Sequence, residues 1–257
     1  MNFPDSREKV KRAVKHVNDL NELLTDFSAS NFYSVSVQEQ EGSNIISIAV
    51  FRHFPTTTAA LIIGDTLHNL RSALDLLYYK IFDEVTGKAD KFTRFPIRDR
   101  QQELISSIDG GLKKKRLSDH LGAIALRDFI VNVIKPYKAG NDSLWALHEM
   151  NITDKHQLLI PTFKIMRFAD ISLQDEKGDI FPADGLPYFL DDSYWFKLNR
   201  TGNFTIHQKG NAATAIVFGI GVPLQDKPVI PALNTLADNL TRTIDAFEGV
   251  NLEDWRR

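Results

Sequence analysis

Apolar residues recur through residues 56–85 at Ile63, Leu67, Leu70, Leu74, Leu77 and Ile81, alternating in steps of four and three. That spacing keeps six side chains on one face of a helix turning about 100° per residue. His68, Arg71 and Asp75 fall on a second stripe beside it, with Asp65, Asn69 and Ser72 slightly further round. A helix with only a core to fill would carry Glu and Lys on its other faces. This mixture predicts a buried or half-buried polar seam.

The same period appears at Val10, Val14, Val17, Leu20, Leu24 and Phe27, after an apparent capping box at Asp5–Glu8. From Phe32 the period falls to two, and two β-branched runs flank Glu41-Gly42-Ser43, which predicts a hairpin over about 32–54. Residues 86–116 are less regular: Asp109-Gly110-Gly111 reads as a turn, followed by a basic loop at Lys113–Arg116. Helices are expected at about 117–134 and 142–157. The stretches Leu158–Ile171, Tyr194–His207 and Ala215–Ile220 then read as strands, with Asp175, Glu176, Asp179, Asp184, Asp191 and Asp192 in the loops between them. A last helix starts at Pro231 and runs through Leu233, Leu236, Leu240, Ile244 and Phe247 to Gly249.

The fold class expected is α+β, in a single domain over 1–257. A helical bundle core (about 1–157 and 226–257) carries the N-terminal hairpin, and a β-rich elaboration (about 158–225) precedes the last helix.

Composition narrows the chemistry by exclusion. There is no cysteine, hence no disulfide framework, thiol nucleophile or thiolate metal site. The formal net charge of -2 gives no global pull toward nucleic acid or anionic membrane. Locally, residues 88–116 hold nine Lys and Arg against four Asp and Glu, a net +5 that is either a solvated surface or a patch attracting phosphate. The charged N-terminal residues and the lack of an apolar run of about 18 residues lead to the expectation of a cytoplasmic protein without a membrane span. No Walker loop, GxGxxG or GxSxG motif occurs.

Two constellations carry candidate chemistry. On the central helix, His68 can move protons, Arg71 can bind phosphate, and Asp75 and Asn69 can orient them. On the helix at 142–157, Leu144, His148, Asn151 and Lys155 form one stripe, and Trp145, Ile152 and His156 the next. If the stripes face one another, His68 and His148 share a cleft. The competing reading is a structural network in which Asp75 and backbone satisfy Arg71, while Lys155 and His156 complement a helix C-terminus. Asp65, His68, His148 and Glu149 are suitable metal ligands by type, but neither HExxH nor paired ExxH occurs, so no metal and no cofactor is expected.

The strings IGDTLHNLRSALDLLYY and LWALHEMNITDKHQLL, with Phe95-Pro96-Ile97 between them, resemble an uncharacterised group of bacterial hypothetical proteins over most of residues 60–160. The first string also resembles the HEPN (higher eukaryotes and prokaryotes nucleotide-binding) motif, an Arg followed four to six residues later by His. That resemblance implies a nucleic-acid-interacting protein acting on RNA, a metal-independent endoribonuclease of a bacterial defence or toxin type that commonly works as a homodimer. Arg71 matches the motif Arg. The position five later is Leu76 rather than His, so His68 or His156 would have to supply the proton transfer. The alternative is a non-enzymatic protein- or ligand-binding module whose seam only fixes helix register.

Overall fold

The computed structural model describes residues 2–40, 42–183, 188–190, 193–198, 200–251 and 253–256. Asp184, Asp191 and Asp192, expected in loops, lie outside the described residues. The architecture is mixed α+β: helices, and antiparallel strands in two small sheets that include the N-terminal hairpin. The chain separates into two compact units, Met1–Leu20 with Thr57–Ile160 and Phe218–Arg257, and Asn21–Thr56 with Pro161–Val217.

The first unit is helical. It contains most of α1 (Pro4–Ala29), then α2 (Thr56–Thr86), α3 (Gln101–Lys114), α4 (Leu121–Phe129), α5 (Asp142–His156), α6 (Val229–Glu248) and the short α7 (Glu253–Arg256). The six-residue apolar stripe of α2 is fully buried, each member 0 or 1% exposed. Leu144, Leu147 and Met150 of α5 and Leu233, Leu236, Leu240, Ile244 and Phe247 of α6 are buried too. Burial of this order, about 25 cal/mol per Å² of apolar surface, is what holds such a bundle together.

Several boundaries differ from expectation. The first helix begins at Pro4, whose fixed φ suits a first helical turn, so Asp5 lies inside the helix rather than capping it. The expected turn at Asp109-Gly110-Gly111 is helical: Leu104, Ile108 and Leu112 of α3 are buried at spacings of four, and that outweighs a cost of about 1 kcal/mol per glycine. The basic stretch is therefore the last turn of a helix at Lys113 and Lys114. It is followed by Arg116 at φ 58°. The helix after it starts only at Leu121, where the His120 side chain accepts from the Ala123 amide (3.3 Å). It closes in a π-helical turn at Ile130–Ile134, and Lys135 at φ 56° ends it before Pro136.

In the second unit, β1 (Tyr33–Gln40) and β2 (Ser43–Val50) form the expected hairpin. β3 (Thr162–Asp175), β4 (Ile180–Pro182), β5 (Tyr188–Leu190), β6 (Ser193–Leu198) and β7 (Phe204–Val217) complete two sheets, ordered β1-β2-β6-β5 and β4-β3-β7. Sequence grouped the hairpin with the helices, but β2 pairs along its length with β6, and that pairing assigns it to the β-rich unit. The stretch Tyr194–His207 is two strands rather than one. Ala215–Ile220 is only the end of β7, which stops at Val217. Phe27, Phe32, Phe54 and Phe163 form the aromatic centre of this unit, with Phe54 and Phe163 stacked 5.2 Å apart.

Candidate functional site

The polar seam of α2 lies in the helical unit, opposite α5. Gly64 approaches Asp154 so closely that a Cβ there would sit 2.5 Å from Asp154 Oδ2. Seven residues further along α2, Arg71 shares a cavity with His148, six residues back along α5. The two helices therefore run antiparallel with their polar stripes facing. A side chain at 64 would force the Asp154 carboxylate to move, which is a reason for glycine in mid-helix.

Arg71 is the centre of the arrangement. It is 8% exposed, and its Nη2 donates to Asp75 Oδ1 (2.8 Å) and to the carbonyl of Phe95 (2.7 Å). The same Asp75 oxygen accepts the Phe95 amide (3.0 Å). Two side chains one helical turn apart thus hold both backbone polar groups of one residue, fixing the segment 94–98 beside α2. This half of the seam matches the structural reading. On the other side, Arg71 Nη1 is buried and meets no acceptor among the described residues. A buried donor without a partner costs about 1–3 kcal/mol, more when it is charged. Burial also lowers the Arg71 pKa, with Asp75 opposing that effect.

The cavity at Arg71 has a volume of about 360 Å³. Tyr78, Phe82, Phe95, Ile108 and Leu112, all buried, line its inner side. Arg94, Arg98, Ser107, Lys115 and the exposed ring of Phe92 line the rest. Arg98 donates to Ser107 Oγ (2.6 Å) and to the Ile97 carbonyl (2.6 Å). Lys115 pairs with Asp90 (2.6 Å). His148 reaches the cavity from α5 with its Nδ1 buried and unpartnered. Burial, then the charges of Arg71, Arg98 and Lys155, push its pKa from 6.5 down to about 4, with Asp99 acting weakly in the opposite direction. His148 is accordingly neutral near pH 7.

A second cavity of about 370 Å³ adjoins the first and shares Arg71, Thr93 and Arg94 with it. His68, Asp75, Lys91 and Lys155 line it, as does Leu76 at the position where the HEPN motif carries histidine. The expected meeting of His68 and His148 in one cleft does not occur: they line different cavities, with Arg71 common to both. Asn69 turns to local partners, donating to the Asp65 carbonyl (2.8 Å) and accepting from Lys9 (3.4 Å). Asn151 is buried at 4% exposed. His156 is exposed at the end of α5 and lines neither cavity.

Sequence reasoning missed Arg94 and Arg98, although a signal for them exists. Residues 94–98 alternate between exposed and covered positions, so the two arginines project to one side while Phe95 and Ile97 bury on the other. Among the described residues, no cluster of three or more His, Asp or Glu side chains is arranged to hold a metal. No helix among them is long and apolar enough to cross a membrane. No protein-family model, curated protein or solved structure matches the chain.

Proposed function

We propose that this is a HEPN-like nucleic-acid-interacting protein that engages a phosphate group in the cavity at Arg71. The observation that carries the reading is a nine-tenths-buried arginine with an unpartnered Nη1, at a cavity whose walls hold four cationic side chains and no Asp or Glu. A guanidinium already anchored on one side by Asp75 and Phe95 is pre-oriented, so an anion that takes its free edge orders little else. Arg94, Arg98 and Lys115 supply further positive charge at the same wall, and Lys113 and Lys114 extend it over the end of α3. Nη1 is buried, so an incoming anion reaches it only through a side-chain movement at the cavity wall. Of the four candidate histidine and arginine positions named from sequence, Arg71 and His148 share this cavity. His68 lines the adjoining cavity and His156 neither, so of the histidines proposed for proton transfer or binding it is His148 that stands beside a phosphate held at Arg71.

RNA binding measured at rising salt tests this reading on the wild type, Arg98→Ala and Arg71→Lys. The expected result is a steep fall of affinity with salt and a loss of about tenfold or more in each variant, the effect of one charge-assisted hydrogen bond. Wild-type affinity in both variants overturns it.

A further inference from the structure

The cavity at Arg71 carries more charge than an internal phosphodiester needs. Its cationic lining is Arg71, Arg94, Arg98 and Lys115. Asp75 neutralises Arg71 and Asp90 neutralises Lys115. Among the described residues, no carboxylate lies within ion-pair distance of Arg94 or Arg98. Asp99, the nearest acidic residue along the chain, accepts from the Trp145 indole (2.7 Å) and is not part of the wall. Two positive charges are thus left without a protein counter-charge around one partly enclosed space.

Donor count and shape agree with the charge. Arg71 Nη1 is unpartnered. Ser107 accepts from Arg98, which leaves its own hydroxyl proton free to donate. With Arg94, and with the buried Nη1 uncovered by a side-chain movement, these groups supply donors for three oxygens, the number a phosphomonoester presents, where a diester presents two. The volume of about 360 Å³ is near the lower end of small-molecule sites, about 300–1,000 Å³. It has room for one nucleotide rather than a run of chain. The inner side is buried core at Tyr78, Phe82, Phe95, Ile108 and Leu112, so a polymer reaches the cavity only from the outer side, where Phe92, Arg94 and Arg98 are exposed. The ring of Phe92 is 76% exposed at that opening, with Lys91 Nζ 5.2 Å from its centroid, so a base stacks there on the opposite face or in place of the Lys91 side chain.

We propose that this cavity takes a terminal phosphomonoester, carried by a free nucleotide or by the end of an RNA chain, in preference to an internal phosphodiester. The inference rests on the reading of the cavity as the phosphate site and specifies which phosphate it selects. A monoester is dianionic above a pH of about 6, so it matches the two uncompensated arginines, and a diester at one charge leaves one of them unmatched.

The test uses the full chain well above that pH and at low salt. Fluorescence anisotropy compares one short single-stranded RNA in three forms: 5′-phosphorylated, 3′-phosphorylated and with hydroxyls at both ends. A nucleoside 5′-monophosphate and the corresponding nucleoside serve as competitors. Arg98→Ala, an exposed position, is the variant, and circular dichroism checks that it folds. The expected result is that a phosphorylated end improves binding by about tenfold or more over the hydroxyl form, and that Arg98→Ala removes the improvement. The monophosphate then competes and the nucleoside does not. Competition by monophosphate at the affinity of phosphorylated RNA identifies free nucleotide as the source, and tighter RNA binding identifies the chain end. Equal binding of all three RNA forms, weakened by Arg98→Ala, overturns the terminal-phosphate inference and leaves the phosphate site standing. Binding of no RNA form and no monophosphate overturns both.

Discussion

Arg71 and His148 come to one cavity from two antiparallel helices, and each brings a buried nitrogen without a hydrogen-bond partner among the described residues. Arg71 is tied down through Nη2 and left open through Nη1, while His148 is kept neutral by burial and by its cationic neighbours.

The clamp on Phe95 predicts the behaviour of Asp75. Asp75→Asn removes the only carboxylate paired with Arg71 among the described residues and leaves a buried guanidinium charge. The expected cost is about 3 kcal/mol, read as a lower urea midpoint. Arg71→Lys should also destabilise, by about 2 kcal/mol, because the shorter lysine side chain does not bring its ammonium to the point where Nη2 meets both Asp75 and the Phe95 carbonyl. Wild-type midpoints in both variants would show that residues 94–98 are held by something else.

Leu74 is fully buried at the middle of the α2 stripe. Leu74→Ala is expected to lower stability by about 2–5 kcal/mol, the usual range for a truncated core leucine. A denaturant melt superimposable on the wild type would place α2 wrongly.

Gly64 and Asp154 make a coupled pair. Gly64→Ala puts a methyl 2.5 Å from Asp154 Oδ2 and should cost about 1–3 kcal/mol. Asp154→Ala in the same chain removes the obstructing carboxylate and should recover most of that loss. Additive effects in the double-mutant cycle would contradict the close approach.

His148 gives the stability a pH dependence of determined sign. Its pKa is about 4 when folded and 6.5 ordinarily, so the unfolded chain binds the proton more readily. The contribution is fully present above 6.5 and is lost as pH falls from 6.5 through about 4. The gap corresponds to about 3 kcal/mol, reduced to about 1–2 kcal/mol by partial solvent access to the ring. His148→Asn should flatten the melting temperature between pH 4 and 7 relative to the wild type. Equal slopes would remove His148 from the cavity wall.

Periodicity alone determined the buried stripe of α2, the hairpin, the mixed α+β class and the stripe of α6, because one-face burial writes its own spacing into a chain; in α5 the buried face is Leu144, Leu147, Met150 and Asn151, while Lys155, Ile152 and His156 of the expected stripes are exposed. Periodicity also put Arg71, Asp75 and His148 on seams of unusual composition. What it could not decide was which distant groups meet. Tertiary packing made a helix of Gly110-Gly111 by burying Leu104, Ile108 and Leu112 beside them, and it set the hairpin against β6 rather than with the helices. Asp75, one helical turn on, was legible as a partner of Arg71, but the Phe95 carbonyl was beyond reach for the same reason: it lies 24 residues away and is a backbone group, which no side-chain pattern marks. Whether a polar atom is satisfied is a property of three-dimensional neighbours. Only the folded chain could leave Arg71 Nη1 and His148 Nδ1 unpartnered at one cavity.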